Sequence, residues 1–382
     1  ELGQQWNALE QKLNQQKVPP VGVAAAKEAL FARTVEHWKE NSSTTEQNHH
    51  LTRRQTLYVQ RPKVGATQQT PARFDVQQIA SNAERLSAGF ERVPAEFQQK
   101  LNVGQGAPDS VRGFNQLPKP QFLTAETNMM HKDGFMDKAQ VRFKREGNRL
   151  PCPADSAVKN SDGEATYHAN HVKMPMSQFI AAQGPRENAG LFWNMVDQQD
   201  SEVVVDLTNA SDPSTAKRSF DYTPPPGETK VYPNGAKVTN NGETRVMGGL
   251  FTVQQLEVNG KPRIRIQHNQ FNDRTSGSPA ELASLATLVR TISPNLAKPV
   301  TVHCTAGVGR TSTFIAIQDQ VDHLANTGHA HDIQDAAATL RNARGGSAIQ
   351  TAEQWQTINQ VHDNPDAIIG PFLSLAGPAA AG

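Results

Sequence analysis

Residues 299–311 read P-V-T-V-H-C-T-A-G-V-G-R-T: a short β-branched run, a turn holding two glycines, and a segment that continues with helical character through Phe314, Ile315 and Ile317. Pro299 to His303 has the residues of a strand buried on both faces. A buried strand that leads within a few residues into a helix belongs to an α/β domain. Further short strands are predicted at Glu202 to Leu207 (EVVVDL), Gly249 to Val258 and Arg263 to His268, where RIRIQH alternates strictly. Phe179 to Val196 is predicted as an amphipathic helix with a turn at Gly184-Pro185, and Pro279 to Ile292 as a second helix. Pro224-Pro225-Pro226-Gly227 and Asn240-Asn241-Gly242 are predicted as turns.

The first hundred or so residues have another character. They are rich in Gln, Ala and Asn, and their apolar positions recur only at helical spacing, as in Val21 to Trp38 and in Phe74 to Leu101 with a break at Pro94. Asn41 to Pro71 has the composition of a linker or of a segment that orders on binding. Gly and Pro cluster at 103–120, where a boundary is expected. The predicted organisation is an extension over 1–110, helical or disordered, a domain over 111–372 and a flexible tail over 373–382. Thirty-eight Lys and Arg against 37 Asp and Glu leave a net charge of +1, which excludes an overall basic field for nucleic acid. No run of 18 apolar residues is present, and Glu1 to Trp6 lacks the basic-then-apolar pattern of a secretory signal. Two cysteines, Cys152 and Cys304, cannot build a disulfide framework, so any role they have is expected of a free thiol.

The turn after His303 has a definite chemistry. Five residues, Thr305, Ala306, Gly307, Val308 and Gly309, separate Cys304 from Arg310. A loop of this length can wrap backbone N–H groups around a tetrahedral dianion, with Gly307 and Gly309 allowing the dihedrals and close approach that such a nest needs. The next helix directs its positive end at the same point. In that field Cys304 is expected to be a thiolate near neutral pH. Arg310, with a planar fork, can hold two phosphate oxygens at once.

This strand–loop–helix stretch resembles the signature H-C-x5-R-[S/T] of the cysteine-dependent protein tyrosine phosphatases. Phe179 to Val196 (FIAAQGPRENAGLFWNMV) resembles the family's Y-I-A-x-Q-G-P and F-W-x-M-V, Gly147 to Val158 its substrate-recognition loop, and Thr166 to Val172 its Y-I-N-A-S region. Together these span about residues 140 to 360, as in the tyrosine-specific branch. The resemblance implies an α/β fold with a twisted mixed β-sheet flanked by helices. It also implies a phosphotyrosine phosphatase with Cys304 as nucleophile, Arg310 as phosphate ligand, and Asp273 in Phe271-Asn272-Asp273 as general acid and base. Gln350, in Q-T-x-x-Q, would orient the hydrolytic water, with Gln354 the second candidate, Thr311 would bond the departing sulfur, His303 would hold the loop, and Arg218 would stand for a lysine near the acid loop. The family's Trp and Pro before the aspartate are absent. Leu150 replaces the aromatic residue that stacks on phosphotyrosine, which removes about 0.5–1.5 kcal/mol of stacking and implies weaker discrimination against other phosphoesters.

No cofactor or metal is expected: His168 and His171, and His323, His329 and His331, have suitable spacings, but no neighbouring carboxylates or thiols complete a site. The Gln-rich beginning and the form C-x-A-G-V-G-R-T resemble phosphatase effectors that bacteria inject through type III secretion. That resemblance implies a monomer acting on host signalling proteins in the host cytoplasm, with a secretion chaperone at the N-terminal region and neither nucleic acid nor a membrane span as partner. Two alternatives keep parts of this reading: a cysteine-dependent phytase, favoured by G-R-T-S-T after the loop, and a catalytically weak adaptor that captures phosphoproteins.

Overall fold

Val203, Val204 and Val205 are all fully buried, and they face two different cores. Val203 and Val205 join one apolar cluster and Val204 the other, because successive side chains of a strand point to opposite faces. The same division runs through β2 (Gln178–Gln183), where Phe179 and Ala181 face one way and Ile180 and Ala182 the other. The sheet that these strands build is therefore covered on both sides.

The computed structural model describes residues 76–101, 113–120, 153, 155–185, 189–209, 211, 222–272, 275–294 and 297–376. The described strands are β1 (Ala169–Lys173), β2, β3 (Val203–Asp206), β4 (Thr229–Val231), β5 (Lys237–Val246), β6 (Phe251–Val258), β7 (Lys261–His268) and β8 (Val300–Cys304). They form one mixed sheet in the order β1-β2-β8-β3-β7-β6-β5-β4. β2, β8, β3 and β7 are mutually parallel at its centre, and the remaining pairs are antiparallel.

The helices are α1 (Val76–Arg92), α2 (Ala95–Gln98), α3 (Ala189–Gln198), α4 (Pro279–Ile292), α5 (Gly309–Thr327), α6 (Ile333–Arg344) and α7 (Ala352–Asp363), followed by short turns to Ala376. Phe192, Trp193 and Val196 of α3 fill the core on one face, whereas α4, α5, α6 and α7 contribute to the core on the other. α4 begins with a capping box: Ser278 Oγ accepts from the Glu281 N–H at 3.1 Å, with Pro279 in the first turn. Ile79, Ala83 and Leu86 of α1 lie in the same core as Phe372, so residues 76–101, within the segment read as an extension, are packed into the folded unit. No helix among the described residues is long and apolar enough to cross a membrane.

Two sequence expectations change. Phe179 to Val196 is not one helix: residues 178–183 are β2, and the helix occupies 189–198. A short apolar run buried on both faces carries no period by which to distinguish strand from helix. Asn240-Asn241-Gly242 is not a turn but a β-bulge inside β5, where the register against β6 shifts between Asn240 and Gly242 and Asn240 Oδ1 accepts from the Gly242 N–H at 3.0 Å. The helix expected after the cysteine loop is present and starts at Gly309. The predicted helix at Val21 to Trp38 lies outside the described residues.

Candidate active site

β8 delivers Cys304 to the C-terminal edge of the parallel strands, the edge at which open α/β sheets bind ligands. The chain then turns through Thr305 to Val308 and enters α5, so the sulfur lies below a helix N-terminus. Gly307 has φ +70°, and a Cβ there would stand 2.1 Å from the Ala182 carbonyl oxygen, so the turn has room only for glycine. From this position the Gly307 N–H donates to Cys304 Sγ at 3.2 Å. Burial pushes the Cys304 thiol up, but the Arg310 charge, the Thr311 hydroxyl and the N–H groups of Thr311 and Val308 outweigh it, and the thiol titrates below its usual range.

Arg310, only 1% exposed, is fixed by acceptors on three elements of the described residues. Nη1 donates to the carbonyls of Leu207 at 2.8 Å and Phe271 at 2.7 Å, and Nη2 to Thr305 Oγ1 at 2.9 Å. The guanidinium therefore ties the cysteine loop to the end of β3 and to the segment that leads into Asp273. Phe271 is fully buried, and Asn272 accepts through Oδ1 from the Asn209 side chain at 2.7 Å. Asp273 itself lies outside the described residues, as do Leu150, Arg218 and Cys152.

The two glutamines differ. Gln354 is buried, and its Oε1 accepts from the N–H groups of Gln350 at 2.8 Å and Thr351 at 3.3 Å in the capping box of α7, while Nε2 donates to the Thr275 carbonyl at 3.4 Å. Gln350 is exposed, with its side chain against Gly309, where an added Cβ would meet Gln350 Oε1 at 3.0 Å. The structure thus gathers Cys304, Thr305, Ala306, Gly307, Val308, Gly309, Arg310 and Thr311 in one loop and helix start, with Gln350 and Gln354 both against Gly309, where an added Cβ would meet Gln354 Nε2 at 2.9 Å, and with His303 at the end of β8 behind the loop. Such an arrangement can set a thiolate against a tetrahedral dianion held by N–H groups and a guanidinium.

A profile described as Protein-tyrosine phosphatase matches residues 138–364. The chain belongs to the protein-tyrosine phosphatase family. It is 27% identical to the protein-tyrosine-phosphatase PTP1 of Arabidopsis thaliana, over 74% of this chain and 88% of that protein. It is 33% identical to the tyrosine-protein phosphatase non-receptor type 7 of Mus musculus, over 64% and 71%. With the tyrosine-protein phosphatase Lar-like of Caenorhabditis elegans it shares 32% identity over 52% of this chain and 9% of that longer protein. This phosphatase is a hydrolase, and its eight-stranded mixed sheet with flanking helices is the fold expected of the family.

One residue that supports the phosphatase loop escaped the sequence reading. Arg344, at the end of α6, donates through Nε to the Gly307 carbonyl at 2.8 Å and through Nη2 to the Ala306 carbonyl at 3.2 Å and to His168 Nδ1 at 2.8 Å. Nη1 meets Asn170 Oδ1 at 2.6 Å, so Arg344 joins β1 to the loop from below. Its place, 40 positions after Cys304, gives no local signal. His331 pairs with Asp319 at 2.6 Å and stacks on His323. Among the described residues no group of three or more His, Cys, Asp or Glu is arranged to hold a metal ion.

Proposed function

We propose that the protein removes phosphate from phosphotyrosine in target proteins in two steps through a phosphocysteine. Cys304 thiolate attacks phosphorus as the bond to the tyrosyl oxygen breaks, and Asp273 gives its proton to that oxygen. Water, oriented by Gln350, then attacks phosphorus; Asp273 takes the proton, the P–S bond breaks with Thr311 bonding the departing sulfur, and inorganic phosphate leaves. Arg310 and the loop N–H groups carry the charge of the equatorial oxygens in both steps. The observation that carries this reading is the low-titrating Cys304 thiol under the Gly307 N–H, beside a guanidinium clamped by Leu207, Phe271 and Thr305.

The test is steady-state hydrolysis of a phosphotyrosine peptide and of phytate in parallel, with Asp273→Ala alongside. The peptide is expected to have the higher kcat/KM, and Asp273→Ala to lower kcat on it by about 10²-fold or more. Preference for phytate would overturn the substrate assignment.

The finer part of the proposal is that this is a bacterial effector, with a phosphatase domain over 111–372 against which residues 76–101 pack, and an N-terminal region, within residues 1–110, that binds a secretion chaperone and directs type III delivery into host cells. The Gln-rich composition of that region supports it. A reporter fused behind residues 1–110 is expected to reach host cytoplasm only from secretion-competent bacteria, and equal signal from a secretion-deficient strain would count against it.

A further inference from the structure

Behind the nucleophile the sheet buries an ion pair to which the two-step reaction gives no part. Asp206 on β3 and Arg265 on β7 are 1% and 4% exposed, and Arg265 Nη2 meets Asp206 Oδ2 at 2.6 Å. Taking two ions into a sheet core costs about several kcal/mol per ion, and a well-packed apolar pair is often as stable, so stability alone is a weak account of the pair. Every arm of it is engaged. Asp206 Oδ1 accepts from Thr208 N–H at 2.9 Å and Oγ1 at 2.6 Å, while Arg265 Nη1 donates to Gln254 Oε1 at 2.6 Å and Nε to Tyr222 Oη at 3.0 Å.

Tyr222 converts this pair into a proton order. A guanidinium can only donate, so Tyr222 Oη accepts from Arg265 and turns its single proton toward His303 Nε2, 2.5 Å away. Nε2 is then an acceptor, and the imidazole proton sits on Nδ1, which faces the Cys304 main-chain carbonyl at 3.4 Å. Asp206 Oδ2 lies 3.7 Å from Nε2, and the same oxygen is held by Arg265 Nη2 at 2.6 Å. Around the imidazole, Phe192 meets the ring edge-on at 5.4 Å, and Nδ1 faces Gly184, where an added Cβ would stand 3.3 Å away.

We propose that Arg265 and Asp206 are positioning residues that fix the hydrogen-bond order from Arg265 through Tyr222 and His303 to the Cys304 carbonyl, holding His303 neutral with its proton on Nδ1. The consequence is a main chain at Cys304 fixed for attack, so the inference rests on the assignment of Cys304 as nucleophile.

The test combines nitrogen NMR of labelled histidine with kcat and KM on a phosphotyrosine peptide across pH, for the wild type, Arg265→Met and the double variant Arg265→Met/Asp206→Asn. The wild type is expected to show His303 singly protonated on Nδ1. Both variants should lose that signature and about tenfold in kcat with KM unchanged. A purely structural pair predicts instead that the double variant, with both charges gone, regains the wild-type spectrum and kcat, and that result would overturn the proposal. A wild-type His303 protonated on Nε2, or doubly protonated, would overturn it without any variant, so poor folding of Arg265→Met leaves it falsifiable. An inactive wild type would count against the nucleophile assignment while the tautomer stayed readable, which keeps the two failures apart.

Discussion

Cys304→Ser is expected to lower turnover of a phosphotyrosine peptide by about 10⁴-fold or more, with peptide binding retained. The loop and helix field that brings the thiol below its usual range acts on a group ordinarily near pKa 8.5, whereas a serine hydroxyl stays protonated in the same field. Oxygen is smaller than sulfur and the N–H groups around it are unchanged, so the cradle should still bind phosphate and the variant should fold. Isothermal titration of the phosphopeptide and hydrolysis in EDTA separate binding from chemistry. Residual hydrolysis within tenfold of wild type would show that sulfur is not the nucleophile.

Arg310→Lys is expected to cost about 10³-fold in kcat, because the ammonium keeps the charge but loses the fork that meets phosphate oxygens while bonded to Leu207, Phe271 and Thr305. The tie to the Phe271 carbonyl also makes Arg310 the link between the phosphate cradle and the segment that carries Asp273, so the loss should fall on kcat more than on KM. Arg310→Ala adds a second effect of definite sign. The Arg310 charge is the largest influence lowering the Cys304 thiol; without it the pKa rises, less thiolate is present at a given acidic pH, and the acid limb of kcat/KM moves to higher pH. Arg310→Lys should leave that limb near its wild-type position. Equal displacement of the limb in both variants would assign the shift to lost geometry rather than lost charge.

The loop and its frame were legible in the sequence because they are local. Strand, turn and helix follow one another from Val300 to Thr327, and Gly307 announces the one backbone shape that admits no Cβ. The split of Phe179 to Val196 into β2 and α3 was not legible, since Phe179 to Ala182 are buried on both faces and any apolar order would serve. Gln350 and Gln354 look alike in Q-T-x-x-Q, and both stand against Gly309; only the fold separates them, leaving Gln350 exposed and burying Gln354 with its Oε1 spent in the α7 cap. Arg265 left no trace, since in the strictly alternating RIRIQH it reads as the polar side of a half-buried strand, and only the fold buries it against Asp206.

By itself, then, the amino-acid order determined the α/β class, the glycine-bearing loop and the thiol at its start, because those depend on neighbours within a dozen residues. The tertiary structure alone decided what stands around that loop. Leu207 and Phe271 clamp Arg310, Arg344 supports Gly307, and Asp206 and Arg265 meet behind His303, contacts between strands and helices far apart in the chain. The physical reason is that hydrogen bonds and charge pairs act over a few ångströms of space, and the parallel crossovers of the sheet bring residues a hundred positions apart into that range.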